Sequence, residues 1–241
     1  MNVFSRLIGR MCEFFRTHNF TCDVCGREVF ENERICRACH AALPHNGGPV
    51  CPFCGRSVAE GGACLECKQK PLVVKKARSA LLHAGEAAHL VLRFKRGDRY
   101  LFRTLAELLL PLAGEFSPDA VVGVPMTEKA ERARGYNQSY LLAREYARLT
   151  ALPYLEAAEK RRETQPQKSL GRAEREKNLE GCFRVTDRAA VRGKALLIVD
   201  DTMTTGSTAS ELASVLLRAG AVRCDLLTVT SVPQKILPRR D

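Results

Sequence analysis

The 241-residue chain contains no tryptophan, and its aromatic content is only 6%. A dedicated single-strand nucleic-acid platform stacks successive bases on aromatic rings, so this scarcity weighs against one. No apolar run approaches the roughly 18–20 residues of a membrane-spanning helix. A continuous signal-peptide core is missing as well. Phe4, Leu7, Ile8, Met11, Phe14 and Phe15 are apolar, but Arg6, Arg10, Glu13 and Arg16 interrupt them. Their helical spacing predicts an amphipathic leading helix over residues 1–20 in a cytoplasmic chain, docked on the protein's own body, with a membrane surface as the alternative. No self-similarity occurs at the roughly 20–50-residue periods of solenoid proteins. With 45% hydrophobic and 27% charged residues, a wholly disordered chain is excluded.

Basic charge and paired cysteine are in excess. Lys and Arg outnumber Asp and Glu by 38 to 27, a formal charge of +11. That excess suits an anionic partner without choosing between a phosphorylated small molecule and nucleic acid. Eight of the eleven cysteines fall into four Cys-x-x-Cys pairs: Cys22/Cys25, Cys36/Cys39, Cys51/Cys54 and Cys64/Cys67. Two cysteines three positions apart aim both sulfurs at one cation, and two such knuckles complete a tetrahedral zinc site. Four knuckles predict two Zn2+ ions. Both are structural, because four thiolates leave no position for a substrate, and metal binding drives the folding of a segment poor in apolar residues. The gaps of 10, 11 and 9 residues between knuckles do not decide which pairs share an ion. Sequential pairing is the simplest, and an interleaved arrangement stays open. His40 and His45 are expected to be bystanders.

Composition changes near Pro71. Residues 1–70 carry nine basic against seven acidic side chains, and residues 71–241 carry 29 against 20. The expected organisation is a double zinc ribbon over 21–70 and a body over 71–241, the size of one α/β unit. In the body, residues 86–95 and 100–113 have helical spacing, with a turn at Gly97-Asp98. Ala120–Val124 is a β-branched run ended by Pro125, and Tyr136–Leu149 has a helical apolar side. Ala195–Val199 is a second buried-strand run, followed by a Thr/Gly-rich loop, helical spacing over Ala209–Leu217 and a strand pattern over Cys224–Val229. Strand, loop, helix, strand predicts a parallel sheet with helices on both faces.

The most informative segment is Leu196-Leu197-Ile198-Val199-Asp200-Asp201-Thr202-Met203-Thr204-Thr205-Gly206-Ser207-Thr208. A buried strand delivers two carboxylates to its carboxyl end, and a hydroxyl-rich turn then opens a helix. Hydroxyls and helix N-terminal amides cradle a phosphate dianion. Two acids beside a phosphate need another task, which vicinal sugar hydroxyls and a water-bridged Mg2+ would supply. Phosphate, sugar hydroxyls and metal in one loop describe a ribose 5-phosphate.

This segment resembles the 5-phosphoribosyl-1-pyrophosphate (PRPP) motif of type I phosphoribosyltransferases. The resemblance implies that Asp200 and Asp201 hold the ribose hydroxyls and that Thr204, Thr205, Gly206, Ser207 and Thr208 wrap the 5-phosphate. Arg134-Gly135-Tyr136-Asn137-Gln138, preceded by Gly123-Val124-Pro125-Met126, Lys129 and Arg132, narrows the likeness. With Thr164-Gln165-Pro166-Gln167, Arg172-Ala173-Glu174-Arg175, Asn178 and an N-terminal double zinc ribbon, the chain resembles the ComF family, associated with DNA uptake and with GntX-like proteins.

The resemblance implies a type I phosphoribosyltransferase-like fold and an Mg2+-dependent pentosyltransferase that displaces pyrophosphate from C1 of PRPP. Asp200, Asp201 and Arg134 would be its catalytic residues. Pro125, Met126, Lys129 and Arg132 would form the pyrophosphate loop, and the basic stretch Lys160–Asn178 a lid. Lys95 and Arg96 would lie near the hood that receives the acceptor. Thr204 stands where purine-specific relatives carry a proton-handling acid, which disfavours purine acceptors. Gly123 stands where many ComF-like sequences have proline. The partner implied is PRPP or a related phosphorylated ribose. The alternatives are a DNA-handling protein that uses the fold as a scaffold and contacts single-stranded DNA or a DNA-uptake protein, and a ligand-sensing regulator that contacts a partner through its ribbons.

Overall fold

A computed structural model describes residues 20–30, 33–163 and 179–233. The expected leading helix, apart from Phe20, and the lid stretch from Thr164 to Asn178 lie outside the described residues. The chain divides into two compact units, Met1–Leu43 and Pro44–Asp241. The second half of the ribbon segment, from Pro44, belongs to the same unit as the sheet.

Each unit contains two cysteine knuckles, and the first of each has the same local build. In the first, the Cys22 N–H donates to the Arg27 carbonyl at 2.7 Å and Gly26 N–H to the Cys22 carbonyl at 2.8 Å. In the second, Cys51 N–H donates to Arg56 at 2.9 Å and Gly55 N–H to Cys51 at 2.9 Å. Cys36 and Cys64 each stand at the N-cap of a short helix, α1 (Arg37–Ala42) and α2 (Leu65–Gln69). Gly55 has φ +65°, and a Cβ there would lie 2.3 Å from the Ala77 carbonyl oxygen. Only glycine meets both demands, and its absence of a side chain lets the knuckle seat on the first strand.

That strand, β1 (Ala77–Leu82), begins a five-stranded sheet with β2 (Ala120–Gly123), β3 (Tyr154–Leu155), β6 (Ala195–Met203) and β7 (Arg223–Ser231). The order is β1-β7-β6-β2-β3, and all pairs are parallel. The outer edge of β1 is covered from within its own unit: Leu82 N–H donates to Pro44, Asn46 N–H to Ala80 and Ala77 N–H to Phe53. Covering an edge in this way blocks further strand pairing.

Both sheet faces are buried. On one, Leu196 and Ile198 of β6 pack with Leu212, Ala213 and Leu216 of α8 (Ser207–Arg218) and with all four cysteines of the second knuckle pair. Alternation turns Leu197 and Val199 to the other face, where α6 (Gln138–Leu149) packs on β2 and β6. Helix α3 (Gly85–Arg96) packs on β1 and β7. A small antiparallel pair, β4 (Ala158–Lys160) and β5 (Phe183–Val185), stands apart from the main sheet. Helices α5 (Glu128–Arg134) and α7 (Arg188–Val191) are the remaining connections. The fold is the expected parallel sheet with helices on both faces, in a chain that also carries the two cysteine sets of the ribbon segment.

Some elements differ from the sequence reading. The helical pattern over 100–113 is broken into a 3-10 turn (Arg99–Leu101), α4 (Phe102–Glu107) and a second 3-10 turn (Leu110–Glu115), where Pro111 provides no N–H for a continuing helix. Strand β6 runs on through the acids to Met203, because β7 continues alongside it, pairing Asp200 with Thr228 and Met203 with Ser231.

Candidate functional site

The sheet order creates the site. From β2 the chain moves to β3 on one side, and from β6 it moves to β7 on the other, so the connections diverge between β2 and β6. In open α/β sheets such a switch point leaves a crevice beyond the carboxyl ends of the strands. Here β2 stops at Gly123, paired with Val199, while β6 continues. Past Val199, Asp200 is therefore the first residue of β6 to have lost its β2 partner.

Two adjoining cavities open at this point. One of about 460 Å³ is lined by Lys95, Arg134, Asp200, Asp201, Thr204 and Gly206–Ala209, with Leu226 and Thr228 of β7. The other, of about 320 Å³, is lined by Val124–Thr127, Arg134, Gln138, Ser139, Lys160 and Glu163. Lys95, Arg134, Asp200, Asp201 and Thr208 border both. The acid pair, most of the Thr-Gly turn, Pro125, Met126 and Arg134 thus meet around one space. Lys129 and Arg132 line neither cavity, and Arg132 instead pairs with Glu128 one helical turn away. Thr205 lies behind the rim, its hydroxyl 2.8 Å from that of Ser207.

Local chemistry sets each group. Gly206 has φ +74° and precedes α8 as its N-cap, and it has no side chain to cap the helix; of the first-turn N–H groups, the Thr205 hydroxyl accepts only from that of Ser207, at 3.4 Å. The first turn of α8 therefore presents backbone N–H groups and a positive dipole end at the cavity wall. Asp200 Oδ1 accepts from Ser139 Oγ at 2.5 Å and from the Asp201 N–H at 2.9 Å, which fixes its rotamer. Burial, reinforced by the neighbouring Asp201 charge, pushes the Asp200 carboxyl up to about 6. Asp201 pairs with Lys95 at 2.8 Å. Burial pushes the Lys160 ammonium below the usual lysine range.

The Arg134–Gln138 run is a joint between two helices. Gly135, at φ +89°, ends α5. Asn137 caps α6 by accepting from the Tyr140 N–H and donates its Nδ2 to the Val124 carbonyl at 3.2 Å. Tyr136 is buried and its hydroxyl donates to the Phe94 carbonyl. One short run thus ties the β2 loop, α3 and the start of α6 together. Sequence reasoning missed Ser139, Thr127 and Thr228 as cavity residues. Ser139 follows the quoted run directly, and its place in the first turn of α6 was the available signal.

Gly123 also has a physical reason. A Cβ there would lie 2.7 Å from Tyr140 Cδ1 and 2.9 Å from the Ser139 carbonyl oxygen. The bare backbone is what lets the start of α6, with Ser139, approach Asp200.

The cysteines form two sets, Cys22, Cys25, Cys36, Cys39 and Cys51, Cys54, Cys64, Cys67, in each of which the ligand atoms lie within 4.8 Å of one another. The structure therefore pairs the knuckles sequentially. Zn–S bonds of about 2.3 Å in a tetrahedron require S···S edges of about 3.8 Å. The Cys25–Cys36 and Cys54–Cys64 sulfurs stand at 3.9 Å and 3.7 Å. Backbone N–H groups of Cys36 and Cys64 also donate to Cys22 Sγ and Cys51 Sγ, at 3.3 and 3.4 Å. Both sets fit structural Zn2+, and neither His40 nor His45 belongs to them. Among the described residues no helix is long and apolar enough to cross a membrane.

Residues 19–68 match the double zinc ribbon domain family. The DNA utilization protein YhgH of Escherichia coli K12 is 32% identical over 209 residues, covering 83% of this chain and 85% of that protein. The chain belongs to the ComF family. Another relative is the competence protein ComFC of Bacillus subtilis, 27% identical over 228 residues, with 89% of this chain and 90% of that protein covered. Among solved structures, the allosteric regulatory enzyme of purine biosynthesis is 25% identical across 53% of this chain, with a TM-score of 0.38. The ComF chain spans 25% of that enzyme's length.

Proposed function

We propose that the crevice between β2 and β6 binds PRPP and that the chain is a phosphoribosyltransferase acting on a nucleophilic acceptor. The observation that carries this reading is the meeting of the Asp200–Asp201 pair with the start of α8 and with Thr204, Gly206, Ser207 and Thr208 of the turn around one cavity. In this reading Thr204, Gly206, Ser207 and Thr208 surround the 5-phosphate, with Thr205 supporting them through Ser207. Asp200 and Asp201 take the ribose hydroxyls. Arg134, with Lys160 and the Pro125–Met126 backbone, faces the diphosphate in the second lobe.

The acceptor displaces pyrophosphate by attacking C1 as the C1–O bond breaks, and negative charge gathers on the departing oxygens. Fixed cations facing that lobe lower the barrier because they need no reorganisation as the charge develops. The oxygen-bearing side chains around the acid pair are carboxylates and hydroxyls, and among the described residues no thiol or imidazole lines either lobe. That set fits a hard cation such as Mg2+, held through water by Asp200 and Asp201, which would neutralise diphosphate charge. Calorimetry with PRPP and Mg2+ tests the reading. The wild type is expected to bind and Asp200→Asn/Asp201→Asn to lose most of the heat, and equal heats in both remove the proposal.

A second reading is DNA handling on a non-catalytic scaffold, favoured by the charge of +11 and by relatives named for DNA utilization and competence. Binding of single-stranded DNA that weakens steeply between about 50 and 200 mM salt supports it. No binding at the lower salt counts against it.

A further inference from the structure

The Thr204–Thr208 turn is held from behind by the second cysteine cluster. Arg56, two residues after the ligand Cys54, has only 5% of its surface exposed. Its Nη2 donates to Glu66 Oε2 at 2.6 Å and lies 3.9 Å from Cys64 Sγ. Its Nη1 donates to the Thr204 carbonyl at 3.2 Å, across 148 positions of sequence. Two further contacts come from the segment leaving the ribbon. The Val73 N–H donates to Ser210 Oγ at 3.3 Å, and the Leu72 side chain lies 2.9 Å from where a Cβ on Gly206 would be.

These contacts have a directional consequence. In a trans peptide the carbonyl and the following N–H point opposite ways. Anchoring the Thr204 carbonyl on Arg56 therefore turns the Thr205 N–H away from the ribbon. Arg56 is in turn held by Glu66 on α2, a helix of five residues whose N-cap is the ligand Cys64. So short a helix has no stability of its own and depends on its surroundings for its position.

We propose that Arg56 is a positioning residue that couples metal occupancy of the Cys51/Cys54/Cys64/Cys67 cluster to the shape of the Thr204–Thr208 turn, and so to its affinity for a ribose 5-phosphate group. This rests on the reading of that turn as a phosphate seat. Coupling between two sites is reciprocal: if zinc favours the ligand-ready turn, the ligand must strengthen the hold on zinc.

The test uses the full chain loaded with two zinc ions. Zinc release to a chromogenic chelator is followed with and without saturating PRPP and Mg2+, alongside calorimetry of PRPP binding. PRPP is expected to slow release of one of the two zinc equivalents by about fivefold or more. Arg56→Gln is expected to keep both ions, to lose the PRPP dependence of release and to bind PRPP about tenfold more weakly. Arg56→Lys, which restores charge but not the planar fork, falls between them. A merely structural arginine would change zinc retention equally with and without PRPP. Heat of PRPP binding with no change in release of either equivalent overturns the coupling and leaves the phosphate seat standing. No heat in the wild type overturns the seat and the coupling with it. Should Arg56→Gln not fold, the wild-type comparison alone decides.

Discussion

Lys95 Nζ stands 2.8 Å from Asp201 Oδ1 and 3.5 Å from Thr202 Oγ1, so the last turn of α3 delivers a cation to the carboxyl end of β6. The carboxylate side chain is 8% exposed and the lysine 34%. Removing the ammonium leaves a buried acid without its countercharge, next to an Asp200 already disfavoured as an anion. Lys95→Met is expected to weaken PRPP–Mg2+ binding by about tenfold and to cost about 1–2 kcal/mol of stability. Calorimetry and urea unfolding read the two effects. Unchanged affinity would show that the pair only staples the helix.

The raised carboxyl of Asp200 sets a pH dependence. Its folded value of about 6 lies above the ordinary 3.8, so the folded state holds the proton more tightly than the unfolded chain. Its contribution to stability is fully present below about 3.8 and is lost as pH rises through about 6. Asp200→Asn removes that loss. At pH 8 the variant is expected to be more stable than the wild type by about 1–2 kcal/mol, while binding PRPP far more weakly. In the wild type, affinity for PRPP should rise as pH increases through about 6. A flat affinity profile between pH 5 and pH 7.5 would show that the ionised form is not the one that binds.

How far the sequence reveals this site depends on where each determinant lies. The Ala195–Val199 run, the acid pair and the Thr-Gly turn are contiguous, so composition and order expose them together. Sequential pairing of the knuckles needed the structure because the three gaps are nearly equal. Strand β1 is built of Ala77, Arg78, Ser79, Ala80, Leu81 and Leu82, with no β-branched residue. Its extended state comes from β7 on one side and residues of the 44–53 segment on the other. Helix α5 carries a legible signal in a stretch that the resemblance assigns to the pyrophosphate loop. Thr127 caps it, Glu128 and Glu131 stand in its first turn, and Arg132 and Arg134 in its last. The Arg56–Thr204 contact has no local signal at all.

Gly123 offers a test of the α6 approach. In Gly123→Ala the new methyl meets both the Tyr140 ring and the Ser139 carbonyl oxygen. The start of α6 must then move, and Ser139 with it. The expected cost is about 1–3 kcal/mol in urea unfolding, with weakened PRPP binding. Adding Tyr140→Leu should recover only part of the stability, because the backbone oxygen at 2.9 Å remains. Full recovery in the double variant would place the whole clash at the ring.

The two cysteine sets should respond differently to loss of metal. Cys51, Cys54, Cys64 and Cys67 are all buried and pack with Ile198, Leu212 and Leu226 in the core beneath the sheet. In the other set Cys25 is exposed, and Cys36 and Cys39 are only partly covered. Cys51→Ser is therefore expected to lower the cooperative unfolding transition of the sheet, by several kcal/mol at saturating zinc. Cys22→Ser should leave that transition within about 1 kcal/mol of wild type while abolishing one equivalent of bound zinc. Calorimetric unfolding with metal analysis separates the cases. Equal loss of the main transition in both variants would mean that the first ribbon, too, supports the sheet.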